Sequence, residues 1–189
     1  MKTFSLDNLN KSLLDIIERK HEELQLGRGY QHIFSKIKDF EGNAIGQIGE
    51  EYAKNICRQI CPIVQDTETT IHDEYDICTE GGKTIEVKTS RKGRTTNTFQ
   101  FNGINPTYTY DFLLCIGICE DKVLYRIFNK SSVKRIHAER KWFITEDNFK
   151  RQLVQMNPDN MVSYKLTLNI KDLYSIDNLP AELQKLLCV

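Results

Sequence analysis

The chain lacks an excess of charge of either sign: its 189 residues carry 26 basic and 26 acidic side chains, for a net charge of zero. General nucleic-acid binders are often strongly basic, so this balance weighs against a protein that grips any polyanion through bulk charge alone. Long apolar runs are missing too. The longest, residues 112–119, has the length of a buried strand, far short of the roughly 18 residues of a membrane helix. Residues 1–20 return to charge before any apolar core develops, so no targeting signal is expected, and a cytoplasmic protein without membrane association is. The six cysteines form no C-x-x-C pair, and the four histidines are scattered, which argues against a zinc site. Reduced, packed thiols are expected instead. There is no internal repeat and no low-complexity segment.

What is present is an ordinary globular composition, 40% hydrophobic and 28% charged. The length suits one domain. Charge is also segregated. Asp66, Glu68, Asp73, Glu74, Asp76 and Glu80 lie close in sequence, followed by Lys83, Lys88, Arg91, Lys92 and Arg94. A second basic run spans residues 126–141. An acidic cluster beside basic stretches suits a cation site that faces a polyanion.

Apolar residues at three- and four-residue steps predict helices over residues 5–25 and 43–60, with a short helix over 30–40 between them. Gly27 and Gly29 end the first, and Pro62 ends the long second one. Gly46, Gly49 and Ala53 give that second helix a small-residue face, which suggests close packing against it. Strands are expected at 62–65, 70–79, 83–89, 98–101, 111–118 and 123–128, the 111–118 strand being covered on both faces. Helices are expected at 131–141 and, capped by Thr145, at 145–156, then a strand at 162–170 and a helix at 180–187. The fold class expected is α/β, a central mixed β-sheet flanked by helices.

The chemistry concentrates around Asp76, Glu80-Gly81-Gly82 and Glu86-Val87-Lys88. If Glu80-Gly81-Gly82 closes a three-residue hairpin loop, Asp76 stands opposite Glu86, and Lys88 shares the face of Glu86. A two-residue loop would pair Asp76 with Val87 and split the carboxylates between the two faces. Two carboxylates this close repel, and a bound cation is one remedy. Hard oxygen ligands without sulfur or imidazole favour Mg²⁺, with Mn²⁺ able to substitute.

Asp76 followed by Glu86-Val87-Lys88 resembles the PD-(D/E)xK nuclease superfamily, which includes most type II restriction endonucleases and the Holliday-junction resolvases. Gly46-Gln47-Ile48-Gly49-Glu50 resembles the family's helical glutamate motif, and the likeness covers residues 43–118. Tyr75 stands where the family's proline would be. The resemblance implies a restriction-endonuclease-like fold in one nuclease domain. Residues 1–42 would be a helical extension, 43–128 the catalytic core and 129–189 covering elements. It also implies that Asp76, Glu86, Glu50 and the Val87 carbonyl ligate the metal, and that Lys88 positions or activates the attacking water.

The polar loop after the catalytic strand then supplies candidate DNA contacts: Arg91, Lys92, Arg94 and Asn97, continued by Gln100 and Asn102. Ser90 is a further candidate hydroxyl. The function expected is a sequence-specific type II restriction endonuclease on double-stranded DNA, a homodimer with a cognate DNA methyltransferase as genetic partner. The alternatives are a junction-resolvase-like repair or recombination nuclease, and a non-catalytic nucleic-acid-binding module.

Overall fold

The computed structural model describes residues 6–24, 32–64, 74–136, 138, 140–157 and 160–188. Three layers build it. Helices α1 (Leu6–Glu23), α2 (Gly42–Ile60) and α3 (Leu179–Leu187) form the first. α2 buries Ile45, Ile48, Tyr52, Ala53 and Ile56, the stripe expected of an amphipathic helix. The short helix before it is a 3-10 turn, Ser35–Asp39.

The middle layer is a mixed sheet in the order β1 (Ile77–Cys78), β2 (Thr84–Arg91), β4 (Phe112–Ile118), β5 (Val123–Asn129), β10 (Tyr174–Ser175). β2 and β4 run parallel, and the other neighbours are antiparallel. All seven residues of β4 are buried, because layers cover both of its faces. The third layer is an antiparallel sheet: β3 (Thr98–Ile104), β9 (Asn160–Asn169), β8 (Phe149–Asn157), β7 (Lys141–Glu146) and β6 (Val133–Ile136).

Two hydrophobic cores follow from the period of two along the middle strands. Ile85, Val87, Leu114, Ile116 and Tyr125 face the helices. Leu113, Cys115, Leu124 and Phe128 face the second sheet, where Phe99, Phe101, Ile144, Leu153, Leu166 and Leu168 meet them. The sheets approach closely at Gly117, where an added Cβ would lie 2.9 Å from the Phe99 ring.

The protein is thus mixed α/β, but helices flank the mixed sheet on one face only. The helices expected at 131–141 and 145–156 are instead β6, β7 and β8, preceded by a 3-10 turn at Lys130–Ser132. Phe149, Leu153 and Met156 mimic helical spacing, yet Trp142, Phe143, Ile144 and Thr145 are strand formers. Asp147 and Asn148 then turn the chain between the paired residues Glu146 and Phe149. The strand expected at 62–65 is reduced to a single bridge between Ile63 and Thr79, with Gln65 outside the described residues. Of the strand expected at 70–79, residues 70–73 also lie outside them, as do Gly27, Gly29, Asp66, Glu68 and Asp73. All six thiols are free; Cys57, Cys115 and Cys119 are buried. No helix among the described residues is long and apolar enough to cross a membrane.

Candidate active site

The β1–β2 hairpin has the register that the three-residue loop demands: Ile77 pairs with Ile85 and Cys78 with Thr84. Thr79 closes the loop. Its N–H donates to the Lys83 carbonyl (2.9 Å), its Oγ1 accepts from the Lys83 N–H (3.0 Å), and its carbonyl accepts from the Gly82 N–H (2.9 Å). Gly82 sits at φ +78°, a left-handed conformation that glycine adopts without strain. Asp76 lies just beyond the last paired residue, and its backbone and carboxylate both bond to β2 on either side of Glu86. The Asp76 N–H donates to the Ile85 carbonyl (3.0 Å), and its Oδ2 accepts from the Val87 N–H (2.7 Å). N–H and C=O of one strand residue point the same way, so the Val87 carbonyl also faces the Asp76 side.

Glu86 is only 4% exposed, and its carboxylate pairs with the Lys88 ammonium. Burial pushes the Glu86 carboxyl up to about 7; the Asp76 charge adds to this and Lys88 pulls against it. For Lys88, burial alone would favour the neutral amine. The attraction of Glu86, Asp76 and Glu50 outweighs it and raises the group above its ordinary value, so Lys88 is a cation.

Glu50 comes from α2. It is half-buried, and burial followed by repulsion from Asp76 raises its carboxyl above the usual range, against Lys54 and Lys88. Its sequence neighbour Glu51 is committed elsewhere, to Arg19 of α1 (2.5 Å). Gly49 is what lets α2 dock here, because an added Cβ would collide with the Thr89 side chain of β2. Gly46 has no such role: nothing lies within 4 Å of where its Cβ would be.

A cleft of about 890 Å³ opens beside these groups. Glu50, Val87 and Lys88 line it, whereas Asp76 and Glu86 lie outside its lining. Arg91, Lys92, Arg94, Gln100 and Asn102 are on its walls, and Glu50 is the only acidic residue of the lining among the described residues. Asn97 is not among them; its carbonyl instead accepts from the Ile170 N–H (2.8 Å). Arg91 is anchored as well, its guanidinium donating to the Lys38 carbonyl. Ser90 is structural: its hydroxyl accepts from the Gln100 N–H (3.1 Å) and donates to the Arg91 carbonyl (3.1 Å), tying β3 to β2.

The sequence reading missed Met156 of β8 and Ser163 of β9, which complete the cleft. They lie more than fifty residues from the hairpin, and the helical reading of residues 145–156 concealed the pairing that brings them there. It also missed Tyr110, 1% exposed, whose hydroxyl is buried without a hydrogen-bond partner among the described residues and feels the charge of Glu86.

Among the described residues, no group of three or more His, Cys, Asp and Glu side chains forms a ready-made cation cage. The oxygen donors nearest to one are Asp76, Glu86, the Val87 carbonyl and, from α2, Glu50. A scan against protein-family models returns no match, and a search of curated proteins returns none either.

Proposed function

We propose that this chain is a metal-dependent endonuclease that hydrolyses phosphodiester bonds of double-stranded DNA, as a sequence-specific restriction enzyme of the PD-(D/E)xK kind. The observation that carries the reading is the hairpin, which brings the Asp76 carboxylate onto the Val87 N–H next to Glu86, with Lys88 paired to Glu86, beside a cleft rich in basic residues.

The donor chemistry fits a hard divalent cation such as Mg²⁺ or Mn²⁺, since every candidate ligand is an oxygen. The strain of the site fits it too. Glu86 is a buried carboxyl whose hold on its proton is raised to about 7, and Asp76 repels both Glu86 and Glu50. Asp76, Glu86 and Glu50 would hold a dication, whose charge would offset that repulsion and favour all three as carboxylates. When bound, it supplies positive charge beside the scissile phosphate and makes water a stronger acid.

The protein's own groups do the rest. Lys88, already protonated, does not take the proton of the attacking water; it orients that water and offsets charge on the phosphate in the transition state. Arg91, Lys92 and Arg94 hold backbone phosphates. Water adds to phosphorus and gives up a proton to solvent, one P–O ester bond breaks, and the departing oxygen takes up a proton. A second copy related by two-fold symmetry would cut the other strand of a symmetric site.

The test is digestion of a sequenced plasmid by the purified chain with Mg²⁺, with EDTA, and with the Asp76→Asn and Lys88→Ala variants. Discrete fragments that vanish with EDTA or either variant support the reading. A smear keeps the chemistry and removes the sequence specificity. Cleavage of branched junctions alone favours a resolvase-like enzyme. DNA left intact across many sequences with Mg²⁺ and Mn²⁺ overturns the reading, and a DNA methyltransferase gene beside this one would support restriction.

A further inference from the structure

We infer that the wall of the cleft formed by β3 and the β8–β9 hairpin is the surface that reads base edges, and that its chemistry is matched to adenine–thymine pairs. The inference rests on the nuclease reading and goes beyond it by naming what is read. Gln100 and Asn102 are two apart on β3, so they share a face. That face cannot rotate, because the alternating residues Phe99 and Phe101 are wholly buried in the core between the sheets. Both amides are exposed, and neither makes a side-chain hydrogen bond to another described residue, so their donors and acceptors are unspent.

The wall is also held at a set distance from the candidate cutting site. The Gln100 N–H is anchored on the Ser90 hydroxyl, two residues beyond Lys88 on β2 (3.1 Å). At the other end, β3 bulges between Phe101 and Ile104, with Gly103 at φ +74°. The Gly103 N–H donates to the Met156 sulfur (3.3 Å), and the Ser163 hydroxyl donates to the same sulfur (3.5 Å). Met156 thus presents an exposed thioether beside two amides, an apolar contact in a cleft whose other linings are mostly polar.

The sorting of residue types decides the base. Guanine is read by Arg or Lys, cytosine by Asp or Glu, and adenine by the paired donor and acceptor of an Asn or Gln amide; the thymine methyl takes an apolar contact. Here the cations Arg91, Lys92 and Arg94 lie at the end of β2 and in the loop that follows it, while this wall presents Gln100, Asn102, Met156 and Ser163, all neutral. Phosphate contact and base contact are therefore divided between two sides of the cleft, and the neutral side carries the adenine chemistry.

The experiment selects bound duplexes from a pool with a randomised stretch, using the full chain with Ca²⁺ to hold the DNA without requiring cleavage. The wild-type chain, Gln100→Ala, Asn102→Ala and Met156→Ala are compared. The expected result is a recovered site containing A·T pairs. Each amide variant should relax one position, losing roughly 5- to 150-fold of preference there, the size of one bidentate base contact. N6-methyladenine at that position should weaken wild-type binding and leave the variant unaffected, and uracil for thymine should weaken wild-type binding but not Met156→Ala. All three positions are exposed, and unchanged thermal melts verify the fold. A recovered site of G·C pairs alone, or one that neither amide variant alters, overturns the inference; if the plasmid is still cut, the nuclease reading survives it. Absence of any duplex binding also overturns it, and joined to an uncut plasmid it overturns the nuclease reading as well.

Discussion

Two clusters of charge are set into the same side of the mixed sheet, the side that faces the second sheet, and the protein treats them in opposite ways. Around Arg126, on β5, nearly every polar group is used. The guanidinium donates to the Asp172 carbonyl (2.8 Å) and to Glu146 (3.0 Å), and lies 4.0 Å from the centre of the Phe149 ring. Asp172 is held in turn by Arg151 through both oxygens (3.1 Å each). This is a staple that joins β5 to the second sheet. Around Glu86, on β2, the groups are left under-used. Glu86 and Lys88 have one ion pair, Asp76 has one backbone donor, and Glu50 makes no hydrogen bond to another described residue. A buried charge that is fully paired stabilises geometry, whereas one left partly unpaired is available for a ligand.

The sharpest way to break that comparison is to remove one cation from each cluster. Lys88→Met should lower cleavage on the order of 10²- to 10³-fold, the scale of a lost transition-state donor, and leave the urea midpoint near its starting value at a pH below about 7, where the buried Glu86 carboxyl keeps a proton and no unpaired charge is left. Arg126→Met should do the reverse, costing on the order of 1–3 kcal/mol through the hydrogen bonds lost to Glu146 and the Asp172 carbonyl, with cleavage per folded molecule retained. Swapped outcomes would mean that the functional and structural assignments are reversed.

The two glycines of α2 sharpen the same contrast. Gly49→Ala forces the helix away from Thr89 and should cost about 1–3 kcal/mol, along with activity, because Glu50 moves with it. Gly46→Ala meets open space and should stabilise the helix by about 0.5–1 kcal/mol. Chemical denaturation of both variants checks this, and equal effects would remove the argument that α2 docks through Gly49 alone.

The smallest effects concern pH. The Glu86 carboxyl has an ordinary value of 4.5 and is raised to about 7 in the folded protein. Between those values the unfolded chain has released a proton that the folded one keeps. Metal-free stability therefore falls as pH rises through this window and levels off above it. Glu86→Gln should flatten that slope and make the protein more stable than wild type above pH about 7. Thermal melts in EDTA read the slope; a wild-type curve that climbs across the window would show Glu86 ionised and well compensated. Added Mg²⁺ should raise the melting temperature more at high pH than at low pH, since the cation competes with the proton on Glu86.

Much of the site was legible in the sequence because it is local. Asp76, the Gly81-Gly82 loop and Glu86-Val87-Lys88 span few residues, and an alternating strand leaves little freedom once the loop length is known. The apolar run of β4 was equally plain, since a strand covered on both faces has no polar residues to hide. Glu50 was chosen over Glu51 from the motif alone; the physical reason, Arg19 drawing Glu51 towards α1, was not legible. Nor was the second sheet foreseen as a layer: Phe149, Leu153 and Met156 carry a spacing compatible with a helix, and pairing partners far along the chain decided otherwise.

The sequence by itself determined the hairpin, through its paired glycines and a period of two, while the choice of a three-residue over a two-residue loop was read only from the structure. It also determined the apolar stripe of α2 and the glycine that lets this helix close on β2. Only the tertiary structure decided that one face of the mixed sheet is covered by strands rather than helices. That choice brings Met156 and Ser163 beside Gln100 and Asn102, and so builds the cleft wall. Contacts within a hairpin follow from the geometry of adjacent residues, but contacts between sheets follow from which apolar faces find each other, and no local pattern encodes that.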